Sequence, residues 1–304
     1  MKRYPSFEEY RKAWDNAYHT DPDIPLNLDI ELTSICNLRC PFCIITDPNY
    51  KYIAGQSAMF MPMKNAIEII NEAKSIGIPA LKFNWIGEPT LHSNFNEILF
   101  CTREKGFHDI IINTNGNYKT EKNIGLMQAT RVIFSIDSFD PLIYTRMRNE
   151  GNLRLVIRNV KDLLSRGHKN IVARRTITQD NKNDSFKDNA LKIFGNDVTV
   201  SEHHVFDRSM MKKQTLKSKR IYCGYPSQRL IIDTNLDVYP CCVDYRRTMR
   251  LGSIAFKSIM MIWKSDYIKK IREYLRRNTM ISASCKDCRS YMAYNHPYRG
   301  NLKQ

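Results

Sequence analysis

Between residues 63 and 204 the sequence alternates between two hydropathy periods, and this alternation restricts the fold more than any other feature. Apolar residues recur at helical spacing over 63–76, 94–105, 121–128, 152–166 and 184–194. Short apolar runs at 80–86, 109–114, 131–136, 170–178 and 197–204 read as the strands between those helices. Upstream, Leu26, Leu28, Ile30 and Leu32 alternate with Asn27, Asp29, Glu31 and Thr33, a period of two that predicts one more strand. Ser6-x-x-Glu9 is a capping box for a helix running to about His19, which Asp21-Pro22-Asp23 and Pro25 end. Strand–helix alternation at this spacing predicts an α/β fold with a parallel sheet, and six such units can curl into an open barrel. The stretch 207–221 breaks the rhythm and reads as a linker. Beyond it, 229–233 and 238–239 flank a short turn as a hairpin, and one basic helix is predicted over 257–277.

Nine cysteines are the second constraint. The run from Met1 to Tyr10 is too polar and acidic for the core of a signal peptide, so the cytoplasm is the expected compartment. Thiols there serve metal or catalytic chemistry rather than disulfides. No run approaches the ~18 apolar residues of a membrane span. With 42% apolar residues the chain can build a sizeable core, which argues against disorder as its main state.

Cys36-Asn37-Leu38-Arg39-Cys40-Pro41-Phe42-Cys43 follows directly on the first predicted strand. In a parallel barrel the loop after a strand lies on the catalytic face. Soft thiolates this close select an iron–sulfur cluster or zinc. A cubane cluster takes four ligands, so three thiols leave one iron open for chemistry; the competing reading is a zinc knuckle with one ligand from elsewhere. A second group comprises Cys223, Cys241, Cys242, Cys285 and Cys288, the last two as a CxxC. Four thiolates suit a fully ligated cluster or a structural zinc. On a strand, Cys241 and Cys242 would face opposite ways, so only one would bind. Cys101, inside a predicted helix, reads as a core thiol.

The Cys-x3-Cys-x2-Cys segment, with an aromatic before its last cysteine, resembles the radical S-adenosylmethionine (radical SAM) superfamily over about residues 26–205. The resemblance implies a partial (β/α)6 barrel and a [4Fe–4S] cluster on Cys36, Cys40 and Cys43 whose open iron chelates SAM. It implies reductive cleavage of SAM to a 5′-deoxyadenosyl radical that takes hydrogen from a substrate. It also implies SAM contacts. Phe42 would pack near the adenine. Gly87, Glu88 and Pro89, in Trp85-Ile86-Gly87-Glu88-Pro89-Thr90, would meet the amino group, with Ile86 in place of the family's first glycine. Thr114 and Asn115, in Asn113-Thr114-Asn115-Gly116, match a further family segment. Ser135 and Asp137, placed on one side by strand alternation, would hold the ribose, and Arg148 the carboxylate.

The C-terminal order is similar to the twitch form of the SPASM domain: Cys223, a hairpin ending at Cys241, a helix, then Cys285-x-x-Cys288. This implies one auxiliary [4Fe–4S] cluster on Cys223, Cys241, Cys285 and Cys288. The family's hairpin glycine is absent; Asn235-Leu236 stands there, and Asn tolerates left-handed geometry. The expected organisation is an N-terminal helical segment (1–25), a barrel (26–206), a basic linker (207–221) and a small α+β twitch/SPASM-like domain (222–304).

A fully ligated auxiliary cluster has no place for SAM and would accept or relay an electron. The resemblance therefore implies dehydrogenation of a small polar substrate such as a sugar or aminocyclitol, with flavodoxin or ferredoxin as electron donor. The runner-up is a peptide- or protein-modifying maturase. A net charge of +16 keeps a zinc–cysteine nucleic-acid scaffold as the non-enzymatic alternative, although no RNA-binding signature accompanies it. No residue is assigned to acid–base catalysis. Among positions that would meet substrate, Lys82 and Asn84 share one strand face. Adjacent Arg174 and Arg175 cannot both turn inward. Glu202, His203 and His204 close the last barrel strand.

Overall fold

The computed structural model describes residues 4–48, 50, 59–204, 223–277, 279, 282 and 285, and the side chain of His204 is not among what it describes. The expected linker and Cys288 therefore lie outside the described residues.

Helix α1 (Phe7–Thr20) opens as its capping box predicts, with Glu9 N–H donating to Ser6 Oγ at 3.2 Å. Six strands then run parallel: β1 (Asn27–Ile30), β2 (Ala80–Phe83), β3 (Asp109–Thr114), β4 (Arg131–Ser135), β5 (Ile171–Ile177) and β6 (Val198–His204). The connecting helices are α2 (Met63–Ile76), α3 (Phe95–Glu104), α4 (Asn123–Leu126), the pair α5 (Pro141–Met147) and α6 (Leu153–Ser165), and α7 (Phe186–Phe194). After the short helix α8 (Tyr225–Gln228) come β7 (Arg229–Ile232), β8 (Asp237–Tyr239) and β9 (Gly252–Ser253), then α9 (Ile259–Trp263) and α10 (Asp266–Arg276). Among the described residues the nine strands form one sheet in the order β6-β5-β4-β3-β2-β1-β7-β8-β9. The expected hairpin is present, and its first strand pairs in parallel with β1, so it prolongs the barrel sheet.

Side-chain alternation across this sheet positions the site. Leu28 and Ile30, Leu81 and Phe83, Ile110 and Ile112, and Val132 and Phe134 are fully buried. They pack in one core with the apolar stripe of α2 (Ala66, Ile69, Ile70, Ala73) and with Val156, Val160 and Leu163 of α6. Each such side chain contributes about 1.5–3 kcal/mol on burial. The intervening residues point the other way, and many are polar: Asn27 and Asp29, Lys82, Asn113, Arg131 and Ser135, Arg174, Arg229. Lys82, Asn113, Arg131, Ser135 and Arg174 are only half-buried on this face, which faces the barrel lumen.

Three local expectations change. The helix predicted over 257–277 is two helices, because Ser265 takes an extended backbone and restarts the chain as an N-cap. The segment 121–128 holds only one α-helical turn, after a 3₁₀ turn at Thr120–Lys122. Helix α5 was not anticipated, although Asp140-Pro141 is a start signal: the Asp140 carboxylate accepts from Leu142 N–H at 2.8 Å and Ile143 N–H at 2.9 Å.

Candidate functional site

The loop after β1 carries Cys36, Cys40 and Cys43, and neighbouring strand ends hold it in place. Asn115, just beyond β3, donates through Nδ2 to Asn37 Oδ1 at 2.8 Å and to Cys36 Sγ at 3.7 Å. Leu38 N–H also points at Cys36 Sγ, at 3.5 Å. Arg148 Nη1 lies 3.6 Å from Cys40 Sγ. Arg39 N–H reaches the Asn149 carbonyl at 3.0 Å, and Thr46 Oγ1 closes the loop on the Cys43 carbonyl at 2.6 Å.

Burial, with Glu88 and the other two thiols nearby, pushes Cys36 up to about 12, and burial raises Cys40 as well. Cys36 and Cys40 resist ionisation alone, yet each is met by N–H donors, which suits thiolates whose charge a metal centre balances. Among the described residues no three His, Cys, Asp or Glu side chains are arranged around a single ion. A cubane cluster instead gives each thiolate its own iron, and this donor set fits that demand.

Glu88 organises the neighbouring loops. Its Oε1 accepts from Thr90 N–H at 3.2 Å, Thr90 Oγ1 at 2.7 Å and Thr114 Oγ1 at 2.8 Å, while Oε2 accepts from Asn115 N–H at 2.7 Å. The Gly-Glu-Pro and Thr-Asn-Gly segments are thus one hydrogen-bonded unit leading to Cys36. Pro89 starts a short 3₁₀ turn there, buried with Thr90. Ile86, where the family's first glycine would stand, fits in an apolar cluster with Ile44 and Trp85. The close backbone approach falls one residue later, at Gly87.

The ribose pair differs from what alternation alone predicts. Strand β4 ends at Ser135, which remains half-buried on the lumen face. Asp137 takes a left-handed backbone (φ 68°) and is fully buried, so it does not simply repeat the direction of Ser135. Its carboxylate accepts from Thr176 N–H at 2.6 Å and pairs with Arg148 Nε at 2.6 Å. Arg148 also covers the Phe42 ring at 5.4 Å. Burial opposes the arginine's charge, but Asp137 and Cys40 hold its pKa above the ordinary value.

The second thiol group gathers near Tyr225, whose phenol is raised first by burial and then by Cys242, Cys241 and Cys223. Cys285 packs with Cys241, Cys242 and Tyr225 in one apolar cluster. Cys241 and Cys242 lie past the end of β8, in a turn, so strand alternation does not separate them. Their thiols interact, and that contact lowers Cys242, aided by Arg229 and Lys82. In the hairpin turn the left-handed residue is Leu236 (φ 67°) rather than Asn235. The Asp233 carboxylate holds it by accepting from Asn235 N–H at 2.8 Å and Asp237 N–H at 2.9 Å.

Sequence reasoning missed the residues that join the two thiol groups. Trp85 Nε1 donates to the Cys242 carbonyl at 2.9 Å, and its ring lies 5.2 Å from that of Tyr239. Arg247 stacks over Trp85 at 5.0 Å and pairs with Asp233. Glu31, fully buried, accepts from Ile86 N–H at 3.2 Å. The signal available for Glu31 was an acid on a strand leading into the cysteine loop; for Trp85 and Arg247 there was none.

Burial, with Asp233 adding and Arg247 opposing, raises Glu31 from 4.5 to about 8. Its folded-state pKa lies above its unfolded value, so folding takes up a proton between those pH values. The stability that protonated Glu31 contributes is full below the unfolded pKa and falls as pH rises through about 8. Glu31→Gln should therefore gain on the parent by about 2–4 kcal/mol between pH 5 and 9. Melting of the two proteins across that range checks this, and a constant difference would refute it.

Comparison with known proteins adds the family. The profile of the radical SAM superfamily matches residues 30–193, and that of an iron–sulfur cluster-binding domain (SPASM) matches residues 223–289. A GTP 3′,8-cyclase of Haemophilus ducreyi is 27% identical over 148 residues, covering 47% of this chain and 42% of that protein. A GTP 3′,8-cyclase of Vibrio cholerae is 26% identical over 137 residues, covering 44% of this chain and 40% of that protein. The match thus spans less than half the length of these relatives. Among solved structures, native anSMEcpe with bound AdoMet superposes with a TM-score of 0.63 at 16% identity, covering 88% of each chain. Streptococcus suis SuiB bound to precursor peptide SuiA gives 0.62 at 15%, over 92% of this chain and 80% of that one. BtrN in complex with AdoMet and 2-DOIA gives 0.53 at 18%, over 84% and 88%. These likenesses are of fold, a partial (β/α)6 barrel. With the superfamily profile covering more than half of its residues, the chain belongs to the radical SAM superfamily, whose enzymes use SAM and a [4Fe–4S] cluster, and it carries a C-terminal SPASM domain that binds auxiliary iron–sulfur.

Proposed function

We propose that this chain is a cytoplasmic radical SAM oxidoreductase that dehydrogenates a small polar substrate, such as a sugar or aminocyclitol. The observation that carries the reading is the bridge of Trp85, which leaves β2 beside the first thiol loop and hydrogen-bonds the backbone of Cys242 in the second. Two thiol groups joined by one side chain suit a reaction in which an electron leaves the substrate. Cys36, Cys40 and Cys43 would hold the first cluster, and Cys223, Cys241, Cys285 and Cys288 the auxiliary one. When bound, the first cluster and SAM supply hydrogen-abstracting chemistry. The chain's own part is positioning: Glu88 fixes Thr114 and Asn115, Asn115 fixes Cys36, and Asp137 fixes Arg148 against Cys40 and Phe42. Gly87, Pro89 and Ser135 would complete the SAM surface.

The barrel (26–206) would thus generate the reactive species and the C-terminal part (222–304) would remove the electron, with flavodoxin or ferredoxin as donor to the first cluster. No helix among the described residues is long and apolar enough to cross a membrane. A peptide-modifying reading is favoured by the likeness to SuiB, whose structure contains a precursor peptide. Anaerobic reconstitution with iron and sulfide, then SAM and dithionite, tests the proposal. About eight irons per chain and formation of 5′-deoxyadenosine are expected. Tightly bound zinc without iron or SAM cleavage would overturn it in favour of a zinc–cysteine scaffold.

A further inference from the structure

The lumen face holds more positive charge than its acids balance. Strand pairing puts Asp29, Lys82, Ile111 and Arg131 in one row, and Ser135, Arg174 and Ser201 in another on the same face. The acids there are already committed. Asp29 pairs with Arg229 at 3.0 Å, and Asp109 with Arg131 at 2.7 Å. Glu31 is held protonated by burial. Arg175 turns the other way and pairs with Glu202 at 2.5 Å.

Lys82 and Arg174 remain. Neither side chain makes an ion pair or hydrogen bond among the described residues, and Arg174 Nε, Asn84 Oδ1 and Asn113 Oδ1 are buried there without hydrogen-bond partners. The two cations lie within each other's electrostatic reach, and Lys82 also feels Cys242 of the second thiol group. Burial lowers both, Arg174 to about 10, and at Lys82 the nearby Asp29, already paired with Arg229, only partly offsets it. Two half-buried cations form a receptor for an oxyanion, which would restore their lost solvation and accept charge-assisted hydrogen bonds, while the Asn84 and Asn113 Oδ1 atoms, as acceptors, call for a donor such as a substrate hydroxyl. The strongly basic chain would steer such a ligand inward.

We propose that the barrel lumen receives an oxyanion of the substrate, a phosphate or a carboxylate, between Lys82 and Arg174. This rests on the enzymatic reading above but is tested separately from it. Reconstituted, SAM-loaded protein is titrated anaerobically with pyrophosphate and with malonate, followed by calorimetry. One saturable site per chain is expected, weakened at least about tenfold in Lys82→Gln and in Arg174→Gln, since each loses a charge-assisted hydrogen bond. Arg154→Gln, on the exposed face of α6, should bind like the parent. Lys82→Arg should keep most of the affinity, which guards against a variant that merely misfolds. Preference for pyrophosphate assigns a phosphate, and preference for malonate a carboxylate. Absence of saturable binding to the parent, or equal binding by all the variants, overturns the proposal. So does an Arg174→Gln protein that loses SAM affinity while keeping the anion. Formation of 5′-deoxyadenosine by the parent is measured alongside: cleavage without anion binding removes this inference alone, and anion binding without cleavage removes the enzymatic reading alone.

Discussion

Replacing Cys36, Cys40 and Cys43 together by alanine should abolish SAM cleavage while leaving about four of about eight irons per chain. The three thiols sit in a loop tied down from three directions, by Asn115, by the Asn149 carbonyl and by Arg148. Alanine removes the sulfurs and with them the Arg148 contact to Cys40, but it keeps the Asn115–Asn37 bond and the Arg39 N–H bond to the Asn149 carbonyl, so the fold should survive. The second thiol group draws its electrostatic environment from Tyr225 and Arg229, and among the described residues it shares with the first loop only apolar contacts around Ile44 that alanine at the three cysteines leaves largely in place. Its iron should therefore remain, and the protein should stay brown. The reciprocal variant, with Cys223, Cys241 and Cys285 replaced, should also keep about four irons but retain SAM cleavage. Loss of all iron from either variant would mean that the two groups do not load independently, and the Trp85 bridge would be the first contact to blame. Persistent cleavage by the first variant would refute the assignment of its thiols.

What was legible in the sequence follows from the range over which each signal acts. Strands and helices of the barrel were readable because periodicity is local and the fully buried outward residues, such as Leu81, Phe83, Ile110 and Ile112, leave it undisturbed. The cysteine loop was readable because its spacing is local too. Glu88 was read as a cofactor contact; its four hydrogen bonds to Thr90, Thr114 and Asn115 depend on two strands meeting, which no local pattern encodes. For Asp137 alternation was not a sound guide to direction, because it was carried two residues past a strand that stops at Ser135. The same error separated Cys241 from Cys242. The pairing of β7 with β1 joins positions about two hundred residues apart, and such contacts are set by tertiary packing rather than by propensity.

Gly87→Ala should be the most damaging single methyl in the barrel. A Cβ at Gly87 would stand 2.0 Å from the Thr33 carbonyl oxygen, 2.7 Å from that of Ile35 and 2.8 Å from the Thr33 carbonyl carbon. All three are backbone atoms of the strand end that becomes the cysteine loop, so no rotamer change relieves the contact. Glu88 N–H meanwhile donates to that same Ile35 carbonyl at 2.8 Å. The only escape is to move the two loops apart, which withdraws the Glu88 carboxylate from Asn115 and, through it, Asn115 from Cys36. Overpacking of this kind costs about 3 kcal/mol or more when backbone must shift, and a melting temperature lower by about 5 °C or more follows for a chain of this size. If Glu88 and Asn115 shape the SAM site as proposed, SAM affinity should fall at least about tenfold. Gly167→Ala supplies the contrast. That glycine has φ 87° and nothing within 4 Å of a new Cβ, so alanine there meets backbone strain but no clash. It should lose about 1–2 kcal/mol and bind SAM like the parent. If the two variants were alike in both melting and SAM affinity, the close approach at Gly87 would not be what holds Glu88 in register with the thiol loop.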